Sequence, residues 1–240
     1  MIKLQLVYRP SGRAFEYAPL ALNIYSGCNH NCKYCYVPGA MHKTREGFRN
    51  NVTVRKNMHM LEGDLKNLSG SNDPVFLCFG CDPYPTGYDS TPTRTVLEQM
   101  KKYDVPVRIL TKSIDCIRDF DLLAKMRSEF GMTLTFRDET LSKEWEPNAA
   151  SPTQRIDRLS IAKSRGIKTW ASIEPVIIRS ETIAIVRASL PFVDSYKIGK
   201  LNHANPPEKI DWVSFREEII EIMKENNKNY YIKKDLAEII

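Results

Sequence analysis

Short runs of apolar, β-prone residues recur along the chain, and the segments between them place apolar residues at helical spacing. The runs are residues 20–25, 75–79, 107–111, 132–136, 168–173, 195–198 and 230–233. Most are apolar through their length rather than alternating, the pattern of strands covered on both faces of a parallel sheet. Helix signals sit between them. Ser90-Thr91-Pro92 offers a cap and a first-turn proline for a helix through Met100. Ser151-Pro152 does the same for a helix to Arg165, with Gly166 placed to end it. Asp211 can cap a helix in which Trp212, Phe215, Ile219, Ile220 and Met223 share one face. Strand and helix alternating at about thirty residues is the βαβ pattern. The expected fold is α/β: an open or partly closed parallel barrel.

Two polar stretches, residues 38–51 and 138–150, follow strands, as does 201–207. In parallel α/β architectures ligand-binding loops gather beyond the carboxyl ends of strands, so the site is expected on that rim. Composition changes this picture little. With 240 residues, 42% hydrophobic and 27% charged, the chain fits one globular domain, residues 1–240. There is no run of about 18 apolar residues to cross a membrane, and Met1-Ile2-Lys3-Leu4 does not open an apolar signal segment. A cytoplasmic location is expected. The net charge of +6 is compatible with an anionic partner such as nucleic acid.

The six cysteines say more. In a reducing compartment, clustered cysteines point to metal or redox chemistry rather than structural disulfides. Cys28, Cys32 and Cys35 form one group and Cys78 and Cys81 another, while isolated Cys116 reads as a small buried apolar residue. Gly27 before the first group, Asn29, His30 and Asn31 within it, and Pro38-Gly39 after it argue for a loop rather than a helix. His30 reads as a solvated spacer, and His42, His59 and His203 have no ligand spacing. Three thiolates suit zinc or an iron–sulfur cluster, and a [4Fe–4S] cluster held by three cysteines leaves one iron open to a small molecule. Cys78 and Cys81 could instead complete a four-thiolate zinc site in a non-enzymatic nucleic-acid-binding module. Against this, the second pair falls in a buried-strand pattern that would have to bend sharply to present both sulfurs.

Cys28-x3-Cys32-x2-Cys35, with Tyr34 before the third cysteine and a strand before the first, resembles the radical S-adenosylmethionine (SAM) superfamily. That resemblance implies a partial (βα)6-type TIM-like barrel, with a core over about residues 20–200 and residues 208–240 completing it. It also implies a [4Fe–4S] cluster on Cys28, Cys32 and Cys35, SAM on the open iron, and an external electron donor of flavodoxin or ferredoxin type. Cys81-Asp82-Pro83-Tyr84, Leu110-Thr111-Lys112-Ser113, the run Arg118 to Leu123, and Trp145-Glu146-Pro147 through Pro152 and Arg155 are similar to the spore photoproduct lyase-like branch, over roughly residues 21–176. The branch implies a substrate that can be nucleic acid, with peptides and small molecules open. It implies SAM contacts from Gly80 and Asp82 to the amino group, Lys112 and Arg155 toward the carboxylate, Thr133 and Thr135 to the ribose, and Tyr34 beside the cofactor. Spacing alone would leave Lys112 and Arg155 as surface charges. Tyr36 matches a position that assists radical transfer. The lyase returns a hydrogen atom from a cysteine; Cys81 and, less well, Cys78 are candidates, although neither falls squarely on that position. Residues 197–203 are expected to line the substrate pocket.

Overall fold

The computed structural model describes residues 4–202, 204 and 206–239; His203 lies outside them, as do Met1, Ile2 and Lys3. The strands are Leu20–Leu22 (β1), Tyr25–Ser26 (β2), Thr53–Val54 (β3), Val75–Leu77 (β4), Val107–Thr111 (β5), Ser128–Thr133 (β6), Lys168–Val176 (β7), Ser195–Lys200 (β8) and Asn229–Ile232 (β9). β1 and β4 to β9 form one sheet in the order β1-β4-β5-β6-β7-β8-β9, with every adjacent pair parallel. β2 and β3 pair antiparallel beside it. All seven expected runs are strands of the large sheet, and β9 is the late strand expected to complete the barrel. Several boundaries moved: β1 stops at Leu22 while Tyr25 joins β2, β6 ends at Thr133, β7 and β8 run on to Val176 and Lys200, and β9 shifts by one residue. β6 begins at Ser128, four residues early, because its polar first residues sit at the strand's amino end. β4 stops at Leu77, where the chain bends instead of running on to Phe79.

Helices make the crossovers, including Leu61–Asn67, Thr91–Lys102, Pro152–Ser164, Arg179–Ser189 and Trp212–Glu225. Ser151 forms a full capping box with Gln154, and Gly166 follows the helix end at φ 75°, a conformation that favours glycine. The Asp211 carboxylate accepts the Ser214 N–H at 3.1 Å, as a cap should. Ser90 departs from expectation: its hydroxyl takes a hydrogen bond from Arg118, and Asp89 receives the Thr91 N–H at 2.9 Å instead.

Strand residues alternate between two apolar layers. Leu20, Leu22, Val75, Leu77, Val107 and Ile109 pack with helix residues such as Val96, Leu97, Leu159 and Phe215. The intervening Ala21, Phe76 and Trp170 gather with Tyr17 on the opposite face. Trp170 fits there because its neighbour across the ladder, Gly131, has no side chain; a Cβ at Gly131 would lie 2.3 Å from the indole. The indole N–H donates to the Ile109 carbonyl at 3.0 Å.

The sheet's two edges are joined by the N-terminal segment. Tyr8 bridges to Ala21 on β1, and Asp64 accepts the backbone N–H groups of Leu6 and Val7 at 2.7 and 2.8 Å. From there the turn Gly12–Glu16 crosses toward β9, where the Glu16 carboxylate accepts from Tyr231 and from the Lys234 N–H, both at 3.0 Å. Arg13 pairs with Asp235. Among the described residues, no helix is long and apolar enough to cross a membrane.

The Gly131–Trp170 contact is testable. Gly131→Ala is expected to lower stability by about 1–3 kcal/mol, as overpacking does. Gly63→Ala, in an exposed helix position with nothing within 4 Å, should be neutral or stabilise by up to about 1 kcal/mol. Urea denaturation of both variants checks the contrast.

Candidate active site

The strand ends and the cysteine loop enclose a cavity of about 610 Å³. The loop reaches it because of a glycine. Gly27 has φ 97°, and a Cβ there would meet the Asn51 and Phe48 carbonyl oxygens at 2.5 and 2.7 Å. The chain can therefore pass close to the helix Arg45–Asn50, and the Cys28 N–H donates to the Phe48 carbonyl at 3.2 Å. Arg45 then holds the loop: its guanidinium donates to the carbonyls of Cys32, Lys33 and Cys35 at 3.1, 2.7 and 3.2 Å. On the other side, the Lys33 N–H donates to the Trp145 carbonyl at 2.8 Å and the Asn148 N–H to the His30 carbonyl at 3.2 Å. The reading of residues 28–35 as a loop holds.

Cys28, Cys32, Cys35, Tyr34 and Tyr36 line the cavity from this loop. Gly80, Cys81, Asp82, Lys112 and Thr133 line it from the ends of β4, β5 and β6. Ten of the twelve expected site residues thus meet in one place. Burial pushes the Cys28 thiol well up and Cys32 to about 12.

Thr135 and Arg155 do not line the cavity. They belong to a polar cluster behind it, centred on Glu146, which is 1% exposed. Arg155, equally buried, pairs with the Glu146 carboxylate at 2.6 Å and donates to the carbonyls of Ala150 and Thr133 at 2.8 and 3.0 Å. The Thr135 hydroxyl donates to Glu146 at 3.2 Å, and the Tyr34 hydroxyl donates to the same carboxylate. Burial alone would raise the Glu146 pKa; Arg155 and then Lys112 outweigh it and hold the group below its ordinary value. Arg155 is therefore no surface charge, and Lys112 is half-buried with its ammonium 5.6 Å over the Tyr34 ring.

Asp82 sits under the cavity at 7% exposure. It accepts the Tyr84 N–H at 2.8 Å, the Thr111 hydroxyl at 2.6 Å and the Lys112 N–H at 3.0 Å. His30, expected to be solvated, is buried with Nδ1 3.4 Å from Asp82, and that burial lowers its pKa. The reason is that Asn148 and Asn29 fold the loop inward, the Asn148 amide donating to the Asn29 carbonyl at 2.8 Å. The bend after Leu77 likewise removes the objection that Cys78 and Cys81 lie in a strand: both line the same cavity as the loop cysteines. Cys116 is fully buried, with its thiol donating to the Ser113 carbonyl.

The far wall was not foreseen. The Glu174 carboxylate accepts from the Tyr17 hydroxyl at 2.5 Å and from the Lys233 ammonium at 2.7 Å; Tyr17 and Lys233 are buried, and all three line the cavity. Gly199 makes room for the pair, since a Cβ there would meet Lys233 Cδ at 2.9 Å and Glu174 Cδ at 3.0 Å. The available signal was a lone carboxylate, Glu174, directly after an apolar strand run. Lys200 and Asn202 line the cavity too, as expected of their segment.

Comparison with known proteins places this geometry. The Radical SAM superfamily model matches residues 22–191. An uncharacterized protein of Methanocaldococcus jannaschii is 30% identical over 92% of this chain and 88% of its own length. An uncharacterized protein of Mycobacterium tuberculosis is 24% identical over 65% of this chain, and the chain spans 49% of that protein. Among solved structures, a cysteine-to-serine mutant of spore photoproduct lyase superposes with a TM-score of 0.72 at 12% identity, covering 96% of this chain and 79% of that one. Streptococcus suis SuiB bound to S-adenosylmethionine superposes with a TM-score of 0.68 at 16% identity, covering 90% and 51%.

The Glu146 cluster gives a stability contrast. Arg155→Met strands a buried carboxylate and should cost about 3–5 kcal/mol. Thr135→Val removes one of several hydrogen bonds and should cost about 1 kcal/mol. Denaturant titration at neutral pH measures both.

Proposed function

Because the chain belongs to the radical SAM superfamily, whose cofactors are a [4Fe–4S] cluster and SAM, we propose that Cys28, Cys32 and Cys35 hold the cluster and that the cavity behind them holds SAM. The single observation that carries this is the loop itself: three free thiols face one cavity, on a backbone that Arg45 holds through three carbonyls. The donor set fits. Three soft ligands from one loop leave one iron open, and the adjoining wall supplies both an acid and a base for an amino-acid ligand. Held by Cys28, Cys32 and Cys35, the cluster would supply the electron for reductive cleavage of SAM, and with it hydrogen-atom abstraction from a substrate.

The chain's own residues bind, orient and exclude water. Asp82 spends most of its lone pairs on Tyr84 of its own loop and on Thr111 and Lys112 at the end of β5, so it acts on the SAM ammonium through its charge as well as through any remaining hydrogen bond. Gly80 keeps the wall low where that amino group sits. The Lys112 ammonium lies on the Tyr34 face and meets the SAM carboxylate, while Thr133 offers the ribose a hydroxyl. Thr135 and Arg155 act at one remove, by fixing Glu146 and through it Tyr34. This moves them from direct contacts to positioning residues. Cys81 returns a hydrogen atom to the product radical, a thiol S–H being weak enough for that transfer. Tyr36, 49% exposed at the cavity mouth, assists it.

For the substrate, the motif likeness to the spore photoproduct lyase branch and the +6 charge favour nucleic acid. The electron comes from a flavodoxin or ferredoxin. The whole chain, residues 1–240, works as one cytoplasmic radical SAM domain.

Anaerobic reconstitution tests the reading. Wild-type protein should retain iron, turn brown and form 5′-deoxyadenosine with dithionite and SAM; stoichiometric zinc without iron would overturn it. Cys32→Ala should lose the cluster and Cys116→Ala should keep it, with Arg45→Ala lowering iron affinity roughly 10-fold, as loss of a supporting hydrogen-bonded group does. In a separate measurement, Asp82→Asn should weaken SAM binding about tenfold in equilibrium dialysis, in line with the loss of one charge-assisted contact. Unchanged SAM affinity would remove Asp82 from the site.

A further inference from the structure

We propose that Cys78 and Cys81 form a redox-active dithiol in the cavity wall, closing to a disulfide by exchange with a low-molecular-weight disulfide and so withdrawing their S–H groups from the cavity. In a continuous strand these residues would point to opposite faces and stand about 10 Å apart. The chain does not continue as a strand. After Leu77 it curls around the Asn23 amide, whose carbonyl oxygen accepts both the Phe79 N–H at 3.0 Å and the Gly80 N–H at 2.7 Å. The curl brings the two thiols close enough to affect one another, on one turn of the chain. Gly80 permits it: a Cβ there would lie 3.1 Å from Met41 Cε and 3.3 Å from the Asn23 amide.

Both cysteines therefore sit on one fixed turn, and both line the cavity. Cys81 is only partly buried, which gives a small disulfide access to it, while Cys78 is the buried partner that resolves the exchange. The step balances. The Cys81 thiolate, its proton released to water, attacks one sulfur of the small disulfide and expels one small thiolate. The Cys78 thiolate then attacks the mixed disulfide at Cys81 and expels the second. One protein S–S bond forms, one small-molecule S–S bond breaks, and the two protons end on the two small thiols. The reduced pair presents an S–H to a radical formed in the cavity; the oxidised pair presents none. The redox state of this turn thus decides whether such a radical can be quenched by the protein.

The inference rests on the cluster assignment only in that bound iron protects Cys28, Cys32 and Cys35 during the test. Reconstituted holoprotein is equilibrated anaerobically in buffers of varied reduced-to-oxidised glutathione ratio, quenched in acid, alkylated and digested with trypsin. Residues 67–94 carry both Cys78 and Cys81; residues 14–33 and 34–43 carry the loop cysteines. Peptide 67–94 should pass from doubly alkylated to internally cross-linked, lighter by two hydrogens than its free dithiol, and return on adding dithiothreitol. Cys78→Ser and Cys81→Ser should each leave the remaining cysteine alkylated or glutathionylated at every ratio. Double alkylation throughout, glutathione adducts on wild type without closure, or a cross-link to peptide 14–33 would overturn the dithiol. Failure of the cluster assignment shows separately, before the quench, as Cys28→Ala, Cys32→Ala or Cys35→Ala holoprotein that keeps its iron and brown colour.

Discussion

Parallel strands need crossovers that carry the chain back to the starting edge of the sheet, so all seven carboxyl ends face the same way. Everything in the site follows from that constraint. The bend after β4, the Lys112 backbone after β5, Thr133 at the end of β6, Lys200 at the end of β8 and Lys233 after β9 come from distant parts of the sequence, yet they wall one cavity. The topology gathers them, and the helices on the outer face keep the strands rigid enough for side chains to be placed within hydrogen-bonding tolerance. The loop of three cysteines needs more help, because it has no ladder of its own. It takes its rigidity from a guanidinium that satisfies three of its carbonyls and from the 145–148 segment packed against its other side.

Two ion pairs stand at the cavity, Glu146 with Arg155 fully buried behind it and Glu174 with Lys233 partly buried in its wall. Desolvation takes back much of what the Coulombic attraction gives in such pairs, so their value lies in fixing geometry rather than in net stability. Each carboxylate also receives a tyrosine hydroxyl, Tyr34 on one side and Tyr17 on the other. The two tyrosines are thereby held in set positions among the residues that line the cavity. Lys233 adds a cation over the Tyr17 ring at 4.7 Å.

The strands and the cysteine loop were legible because they rest on local signals: β-prone runs, a capping box, a glycine past a helix end, cysteines at short spacing. Residues whose surroundings arise from tertiary contact were not. His30 carries no mark of burial in its own neighbourhood, since Asn148, more than a hundred positions away, is what folds it under. Arg155 looks like any helix-surface arginine until Glu146 is placed beside it. Cys78 and Cys81 looked like strand residues because Val75, Phe76 and Leu77 are; the side chain that curls them, Asn23, sits on the other side of the loop. Tyr17 and Lys233 meet Glu174 only because the N-terminal segment crosses to the last strand. The missing part of the site is, throughout, the part assembled from long-range pairs.

That crossing segment closes the barrel in a different way from the rest. Inside the sheet, neighbours are stitched by backbone ladders; across the seam between β1 and β9, the described contacts of the segment with residues 231–235 run through the Arg13, Glu16, Tyr17, Tyr231, Lys233 and Asp235 side chains and one N–H of Lys234. Added electrolyte screens a half-exposed ion pair such as Arg13–Asp235 and hardly touches a buried ladder. The barrel therefore has one closure that responds to ionic strength and six inter-strand joints that do not, and its circumference is most easily altered at the single place where two distant ends of the polypeptide are fastened together.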